Sequence, residues 1–275
     1  METPLEKADE ILTVESKPGF NLISTNNYAE FCLVVAQQIS DQLKSKADSR
    51  LALPAGLSPR GYYNLLAQAS KDNELDWRQS MCFALDDYLG VDEAHTFQSF
   101  LENHLYQFTN LPANASFNPR FHNNYDQLIA EQGGIDLCVL GLGINGHIAF
   151  NEPPTIAASW THCVFLTQAT REANKAGFEA KITAQFDTSP GIKDPGNISS
   201  VAIVSPDNLV AVPTRAVTMG IATILASRRI ILAVAGDNKK DVLSRALHGP
   251  PDPSFPASYL LAHKNLLVVT EFSYS

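Results

Sequence analysis

The sequence predicts an α/β fold with a doubly wound, mostly parallel sheet that carries helices on both faces in a Rossmann-like arrangement. Apolar strand signals alternate with amphipathic helix signals from end to end, which is the pattern of a parallel sheet covered by helices. The strands are nearly continuous apolar runs, as expected where both faces of a sheet are buried. The 275 residues, 45% of them hydrophobic, suffice for one large core.

We predict a polar N-terminal tail over residues 1–20 and a single domain over residues 21–275. The first helix is predicted from Tyr28 to Leu43, where apolar residues recur at helical spacing. Pro59 ends a Gly- and Pro-containing turn and suits the first turn of the next helix. The other elements predicted in this half are strand Arg50 to Leu53, helix Pro59 to Ser70, strand Met81 to Leu85, helices Thr96 to Phe108 and Tyr125 to Gln132, and strand Ile135 to Leu140.

The C-terminal half repeats the alternation of strands and helices after a long irregular segment. Gly177 to Arg215 is rich in Gly, Pro, Ser and Asp, and a loop of this length in a compact domain suggests a lid or an excursion over a site. The elements predicted after it are helix Ala216 to Ser227, strand Arg229 to Ala235, helix Lys239 to Leu247, short helix Pro256 to His263 and strand Leu266 to Thr270.

Composition excludes several classes of partner. The net charge of −9 argues against nucleic acid or an anionic membrane, because both require basic patches. A small phosphorylated ligand remains compatible, since it needs only a few local donors. The N-terminus has no secretory signal pattern and the chain has no long apolar run, so we expect a cytoplasmic protein. The spacing of Cys32, Cys82, Cys138 and Cys163 indicates buried free thiols, with no metal site.

The most informative stretch runs from Ile135 to Pro153. It reads as a buried strand followed by a glycine turn that presents His147 and Glu152, and ligands bind at the carboxyl ends of such strands. Its glycines also match Gly-x-Gly-x-x-Gly, the dinucleotide fingerprint. That alternative is disfavoured, because Pro153 and Pro154 stop any helix and no acidic residue follows the next apolar run, His162 to Leu166.

Two further strand ends carry candidate chemistry. Gly56-Leu57-Ser58 precedes a helix, where backbone N–H groups favour an anion, although such turns also serve simply as caps. Asp86 and Asp87 follow a strand, where paired acids are more often a helix cap or a solvated turn than a base. All three strand ends should meet at one sheet edge, so the sequence predicts a site with general acid–base groups there.

Four strings carry a family resemblance over about residues 28 to 270. They are Leu85-Asp-Asp-Tyr88, Gly141-Leu-Gly-Ile-Asn-Gly-His-Ile-Ala-Phe-Asn-Glu-Pro153, Thr170-Arg-Glu-Ala-Asn174 and Gly236-Asp-Asn-Lys239. The chain resembles the glucosamine-6-phosphate deaminase family, which shares its fold with 6-phosphogluconolactonases. Two other strings, from Gly134 to Gly143 and from Pro256 to His263, are similar to the subgroup assigned to galactosamine 6-phosphate.

The resemblance implies an amino-sugar-phosphate deaminase/isomerase. Such an enzyme converts glucosamine 6-phosphate or galactosamine 6-phosphate to the ketose 6-phosphate and ammonia by aldose–ketose isomerisation, without a metal or an organic cofactor. Asp86 would move the proton between C2 and C1, and His147 would transfer the ring-oxygen proton with Glu152 and Asn145 orienting it. Members are often oligomers, which leaves a homo-oligomer open. Phosphate or substrate binding would fall to Gly56, Leu57, Ser58, Asp87 and Lys239.

Three departures from the family pattern bear on function. Asn145 stands where many members have Asp, Gly56-Leu57-Ser58 replaces the usual Gly-Gly-Thr, and Ala176 replaces a phosphate-binding arginine. Lys175, Arg171 and Arg215 are candidates to compensate, and we hypothesise Arg215. The alternatives are a non-catalytic sugar-phosphate sensor or an altered-substrate isomerase, and then a 6-phosphogluconolactonase, which normally lacks the Asn-Glu-Pro continuation.

Overall fold

The computed structural model describes residues 13–175 and 212–274, and its centre is an eight-stranded sheet. The helices are α1 (Tyr28–Ser45), α2 (Arg60–Lys71), α3 (Phe97–His104), α4 (Tyr125–Glu131), α5 (168–175), α6 (Ile221–Leu225) and α7 (Lys240–His248). The strands are β1 (Glu15–Lys17), β2 (Phe20–Ser24), β3 (Arg50–Leu53), β4 (Met81–Ala84), β5 (Asp86–Tyr88), β6 (Ser116–Phe117), β7 (Leu137–Leu140), β8 (His162–Phe165), β9 (Arg215–Thr218), β10 (Arg229–Val234) and β11 (Leu266–Thr270).

The large sheet has the strand order β1-β2-β11-β10-β7-β3-β4-β6. All its pairings are parallel except that of β1 with β2. One core packs α1, α2 and α3 on one face, and a second core packs α4, α6 and α7 on the other. The predicted doubly wound α/β fold is therefore confirmed. From β3 the chain moves outward to β4 and then β6, and it returns to β7 on the other side of β3. The strand order therefore reverses between β3 and β7, which is where open α/β sheets bind ligands.

A smaller antiparallel sheet, in the order β5-β9-β8, lies beside this switch point. It corrects two predictions. Asp86 and Asp87 do not form a turn after β4 but begin a strand of their own, paired with Thr218 and Val217. The predicted helix from Ala216 to Ser227 is wrong in its first half, because Arg215–Thr218 is a strand and the helix covers Ile221–Leu225 only. Cross-strand pairing decides this, since β-branched Val217 and Thr218 pack well in strands.

The other predicted elements are present with boundary shifts of a few residues. The predicted helix from Thr96 to Phe108 ends at His104 and continues as a separate 3₁₀ turn. β1 lies within the segment predicted as a tail, so the sheet begins at Glu15. Residues 1–12 and most of the candidate lid over residues 177–215, namely residues 177–211, lie outside the described part of the chain. The division into tail and domain stays a prediction.

Three further findings concern a metal site, the membrane and the cysteines. In the described ranges no group of three or more His, Cys, Asp or Glu side chains is placed to hold a metal ion. Within the same ranges no helix is both long enough and apolar enough to span a membrane. Cys32, Cys82 and Cys138 are buried free thiols as predicted, whereas Cys163 is exposed on the edge strand β8.

Candidate active site

A cavity of about 510 Å³ opens at the carboxyl ends of β3, β4, β7 and β10. Its volume falls in the range of small-molecule sites. The turn after each of these strands contributes to the wall, so side chains far apart in sequence share one space. Among the predicted site residues, the lining includes Gly56, Leu57, Ser58, Asp86, His147 and Lys239.

Asn145 connects His147 to Glu152 through its side-chain amide. Its Nδ2 donates to Oε2 of Glu152 at 2.7 Å, and its Oδ1 lies 2.7 Å from Nδ1 of His147. The direct distance from His147 Nδ1 to Glu152 Oε2 is 3.9 Å, too long for a hydrogen bond. The predicted pairing of His147 with Glu152 therefore runs through Asn145, which also accepts a bond from the backbone N–H of His147.

This geometry sets the tautomer of His147. Because the amide nitrogen of Asn145 is committed to the Glu152 carboxylate, its oxygen faces the imidazole, and Nδ1 must carry the proton that oxygen accepts. In the neutral ring Nε2 then keeps a free lone pair. Burial lowers the pKa of His147, the Glu152 charge opposes that shift, and the Lys239 charge adds to it. His147 is therefore neutral and proton-accepting near pH 7.

Two threonines that the sequence analysis did not single out support Glu152 and His147. Thr167 contacts the carboxylate of Glu152 through its N–H and hydroxyl at 3.3–3.4 Å. Thr170 Oγ1 lies 3.4 Å from Nδ1 of His147 and 3.1 Å from Thr167 Oγ1. Thr167 immediately precedes α5, and Thr170 lies in the first turn of α5 and begins the Thr170 to Asn174 string. That string carried the family resemblance, but without a role for its first residue.

The turn itself requires glycine at two positions. Gly146 has φ +84°, and a Cβ there would come within 2.3 Å of the Phe255 ring. At Gly143 a Cβ would lie 2.3–2.5 Å from the imidazole of His147. The ring thus rests directly against the backbone at Gly143, which holds His147 in one orientation.

Asp86 begins β5 and lines the cavity, with a side chain only 6% exposed. Burial, reinforced by the neighbouring Asp87, raises the pKa of the Asp86 carboxyl well above its usual range. Desolvation makes the ionised carboxylate a stronger base. A carboxyl group with this property at the wall of a cavity is suited to taking up and returning a proton.

Asp87 does not face the cavity, contrary to the expectation that it binds substrate. Its carboxylate accepts hydrogen bonds from the backbone N–H groups of Tyr88, Phe97 and Gln98 and from Nδ2 of Asn118, at 2.7–3.2 Å. Successive residues of a strand point to opposite sides. Asp86 therefore faces the cavity, whereas Asp87 holds the first turn of α3.

The loop Gly56-Leu57-Ser58 lies between β3 and α2, where it was expected to receive an anion. Gly56 has φ +124°, and Ser58 makes no side-chain hydrogen bond to any described residue. The hydroxyl of Tyr28, the first residue of α1, donates to the Ser58 carbonyl at 2.8 Å and accepts from the Gly61 N–H at 3.2 Å. Tyr28 therefore braces this loop against the first turn of α2.

Lys239 lies in the turn between β10 and α7 and lines the cavity. Its ammonium group makes no hydrogen bond or ion pair within the described ranges. Burial lowers its pKa, because the charged form is deprived of water. An unpaired lysine in this setting is suited to receiving an anionic ligand.

The residues considered as replacements for an arginine at Ala176 do not line the cavity. Ala176 itself lies outside the described residues. Arg215 is exposed at the start of β9, opposite Phe165. Lys175 is exposed, and Arg171 donates through Nε to the Val212 carbonyl at 3.0 Å. The hypothesis that Arg215 binds phosphate is therefore not supported by its position.

The sequence is similar to a known protein family and to several of its members. The family model described as glucosamine-6-phosphate isomerases/6-phosphogluconolactonase matches residues 25–176 and 176–269. A glucosamine-6-phosphate deaminase of Lachnoclostridium phytofermentans is 32% identical over 261 residues, which are 91% of this chain and 99% of that protein. One from Halalkalibacterium halodurans is 32% identical over 260 residues, with 91% and 94% covered.

Two solved structures are similar to this chain over most of its length. A structure described as a monomeric glucosamine-6-phosphate deaminase superposes with a TM-score of 0.76 at 30% identity, covering 90% of this chain and 96% of that one. The 6-phosphogluconolactonase of Plasmodium vivax superposes with a TM-score of 0.67 at 17% identity, covering 100% and 97%, and shares the fold. With its sequence matched almost throughout, the chain belongs to the glucosamine-6-phosphate isomerase/6-phosphogluconolactonase family.

Proposed function

We propose that this protein is an amino-sugar-phosphate deaminase, which converts glucosamine 6-phosphate or galactosamine 6-phosphate and water to the ketose 6-phosphate and ammonia. The observation that carries the proposal is the arrangement of Asp86 and His147 on one cavity wall with Lys239. A proton-accepting imidazole, a carboxylate with a raised pKa and a cation that no described residue pairs are the groups that this reaction requires. Two relatives that match 91% of this chain are named glucosamine-6-phosphate deaminase, which supports the proposal.

Ring opening is assigned to His147. Its free Nε2 takes the proton of the C1 hydroxyl and returns a proton to the ring oxygen as the C1–O5 bond breaks, which yields the open aldehyde. The fixed tautomer favours this step, because Asn145 stabilises Nδ1–H and leaves Nε2 as the acceptor. A positioned general acid–base group contributes about 10²–10⁴-fold.

Isomerisation is assigned to Asp86. Its carboxylate removes the C2 proton while O1 takes up a proton from the C2 amino group, and the resulting carboxylic acid then delivers the C2 proton to C1 of the enolamine. The product of the transfer is an imine at C2. Addition of water to this imine and loss of ammonia complete the ketose. The raised pKa of Asp86 suits both halves of the transfer, since a group must accept and release one proton near the working pH.

The phosphate is assigned to the loop Gly56-Leu57-Ser58, at the N-terminus of α2, and to Lys239. Backbone N–H groups at a helix start attract anions, and the lysine adds a charge. We also propose a cytoplasmic location, in keeping with the acidic composition. A homo-oligomer remains a prediction, and one similar structure is described as monomeric.

The test is ammonia release from glucosamine 6-phosphate and galactosamine 6-phosphate side by side. Turnover of at least one sugar is expected in the parent protein, and its loss is expected in Asp86→Asn. Asp72→Asn, a change at an exposed aspartate outside the cavity, serves as the matched control and should retain turnover. If neither sugar releases ammonia although both bind, the proposal is wrong and a sugar-phosphate sensor becomes the better description. Hydrolysis of 6-phosphogluconolactone alone would instead favour a lactonase.

A further inference from the structure

Arg60 is a cavity residue to which the sequence analysis assigned no role. It is the first residue of α2 and follows the loop Gly56-Leu57-Ser58 directly. Its guanidinium makes no hydrogen bond or ion pair to any residue of the described ranges, and its Nε is buried without a partner. The contact that the structure gives it is with the Phe100 ring, whose centroid lies 5.9 Å from Cζ.

Most arginines in the described part of the chain are paired. The pairs are Arg50 and Arg228 with Asp136, Arg78 with Asp76, Arg120 with the Val91 carbonyl, Arg171 with the Val212 carbonyl, Arg229 with Gln38 and Arg245 with Asp252. A buried N–H without an acceptor is unfavourable, and such groups in native proteins call for an explanation. An anionic ligand in the cavity would supply the hydrogen-bond acceptor that Nε of Arg60 lacks.

The position of Arg60 at the start of α2 is a second reason to expect an anionic ligand beside it. A helix N-terminus carries partial positive charge, so a cation there is unfavourable unless an anion is also present. The first turn of α2 contains no acidic residue, and Pro59 provides no side-chain cap. Lys239 lies on the same cavity and is likewise unpaired within the described ranges. Three positive features therefore face this space, and neither cationic side chain makes an ion pair with an acidic residue of the described ranges.

The sheet order places the two cations on either side of the glycine turn. Arg60 follows β3 and Lys239 follows β10, with β7 between them. β3 and β10 are two strand spacings apart, or about 10 Å. The long side chains of Arg60 and Lys239 can therefore approach one ligand above β7 from opposite sides. The charge of Lys239 also influences the pKa of His147, which locates it near the catalytic turn.

We infer that Arg60 is a phosphate-binding residue of this site, which pairs its guanidinium with the phosphate dianion opposite Lys239. The inference rests on the proposed function in taking the ligand to be a sugar phosphate. A guanidinium presents N–H donors in a planar fork that matches two phosphate oxygens, whereas an ammonium acts as a point charge. Arg60 would thereby orient the phosphate, and Lys239 would balance its remaining charge.

The experiment is calorimetric binding of inorganic phosphate and of fructose 6-phosphate, with unphosphorylated fructose as a ligand control. Arg60→Ala is expected to weaken both phosphate probes by about 10–100-fold, and Arg60→Lys by a smaller factor, because the charge remains and the fork is lost. Arg78→Ala is the matched control, since Arg78 is exposed and pairs with Asp76 away from the cavity. It should bind both probes as the parent does.

Thermal unfolding separates binding from a structural role. If Arg60 served only to pack on Phe100, Arg60→Ala would lower the Tm and leave phosphate affinity unchanged, and the inference would be overturned. Failure of the parent to bind either phosphate probe would overturn it too. Loss of phosphate affinity in Arg60→Ala, with the Tm maintained, would support it. Because binding is measured without turnover, that support would stand even if the parent released no ammonia and the proposed reaction were wrong.

Discussion

Nδ1 of His147 lies 2.7 Å from Oδ1 of Asn145, an acceptor that carries no charge. The same amide passes the connection on to the Glu152 carboxylate through Nδ2, also at 2.7 Å. A carboxylate in direct contact with an imidazole stabilises the imidazolium form, whereas an amide fixes the ring without doing so. Glu152 therefore orients the His147 ring only indirectly, through the side-chain amide of Asn145.

Replacing Asn145 by Asp should raise the pKa of His147, because the negative charge that the new carboxyl group shares with Glu152 would then contact the ring. Neutral His147 would persist only at higher pH, so the acid limb of kcat/KM should move upward. An NMR titration of the His147 ring, assigned with His147→Gln, measures the pKa directly. His162, which is half-buried on β8, is the internal control. An unchanged His147 pKa would contradict the assigned contact.

Replacing Glu152 by Gln should shift the same pKa in the opposite direction. The Glu152 charge now raises the pKa of His147 against the effect of burial, so neutralising it lets the pKa fall further. Because Gln can still accept from Asn145 Nδ2, the ring should keep its place. We expect an acid limb at lower pH and a kcat reduced by about 10-fold or more, since the imidazolium that forms during ring opening is less stabilised. A pKa that rises in the NMR titration would refute this.

Replacing Asp86 by Asn should abolish turnover and stabilise the fold. Its raised pKa means that the folded protein binds the proton more tightly than the unfolded chain does, so ionised Asp86 destabilises the fold as pH rises above the unfolded value. The variant should have a higher Tm than the parent at pH 7.5, and the gain should shrink at pH 4. Each kcal/mol corresponds to about 2–4 °C for a chain of this size. Equal gains at both pH values would speak against a desolvated carboxylate.

Replacing Asp87 by Asn should act on stability instead. The Asp87 carboxylate accepts from three backbone N–H groups and from Asn118, and an amide nitrogen facing those donors leaves some of them unsatisfied. Each buried donor without a partner costs about 1–3 kcal/mol. We expect a Tm lowered by several degrees with the KM of the folded fraction unchanged. A raised KM with an unchanged Tm would contradict this structural role and indicate that Asp87 binds substrate.

Replacing Tyr28 by Phe should loosen the phosphate loop. The variant loses the bridge from the Ser58 carbonyl to the Gly61 N–H but keeps the ring. KM is expected to rise about three- to tenfold with kcat nearly unchanged, in line with the loss of about 1 kcal/mol of positioning. Burial raises the pKa of Tyr28 to about 12, so the KM ratio of variant to parent should be constant between pH 6 and 9. A kcat effect with no KM effect would oppose this role.

Sequence alone determined the fold class, most helices and strands, and the glycine turn that carries His147. β3 and β11 match their predicted bounds, and α1 begins where the spacing of its apolar residues predicted. These features depend on patterns that repeat within a few residues, so local sequence contains them. The glycine turn with His147 was equally accessible, because its chemistry is concentrated between Gly141 and Pro153.

Tertiary structure decided which groups meet. Asp86 and Asp87 are adjacent in sequence, yet pairing of β5 with β9 sends one to the cavity and the other to α3. Arg215 was placed before a helix and lies instead on an exposed strand, whereas Arg60 enters the cavity because β3 adjoins β7. Such outcomes follow from strand order and pairing between distant segments. The surroundings of each side chain, including its burial and the charges near it, come from segments far apart in the chain. No short stretch of sequence specifies them.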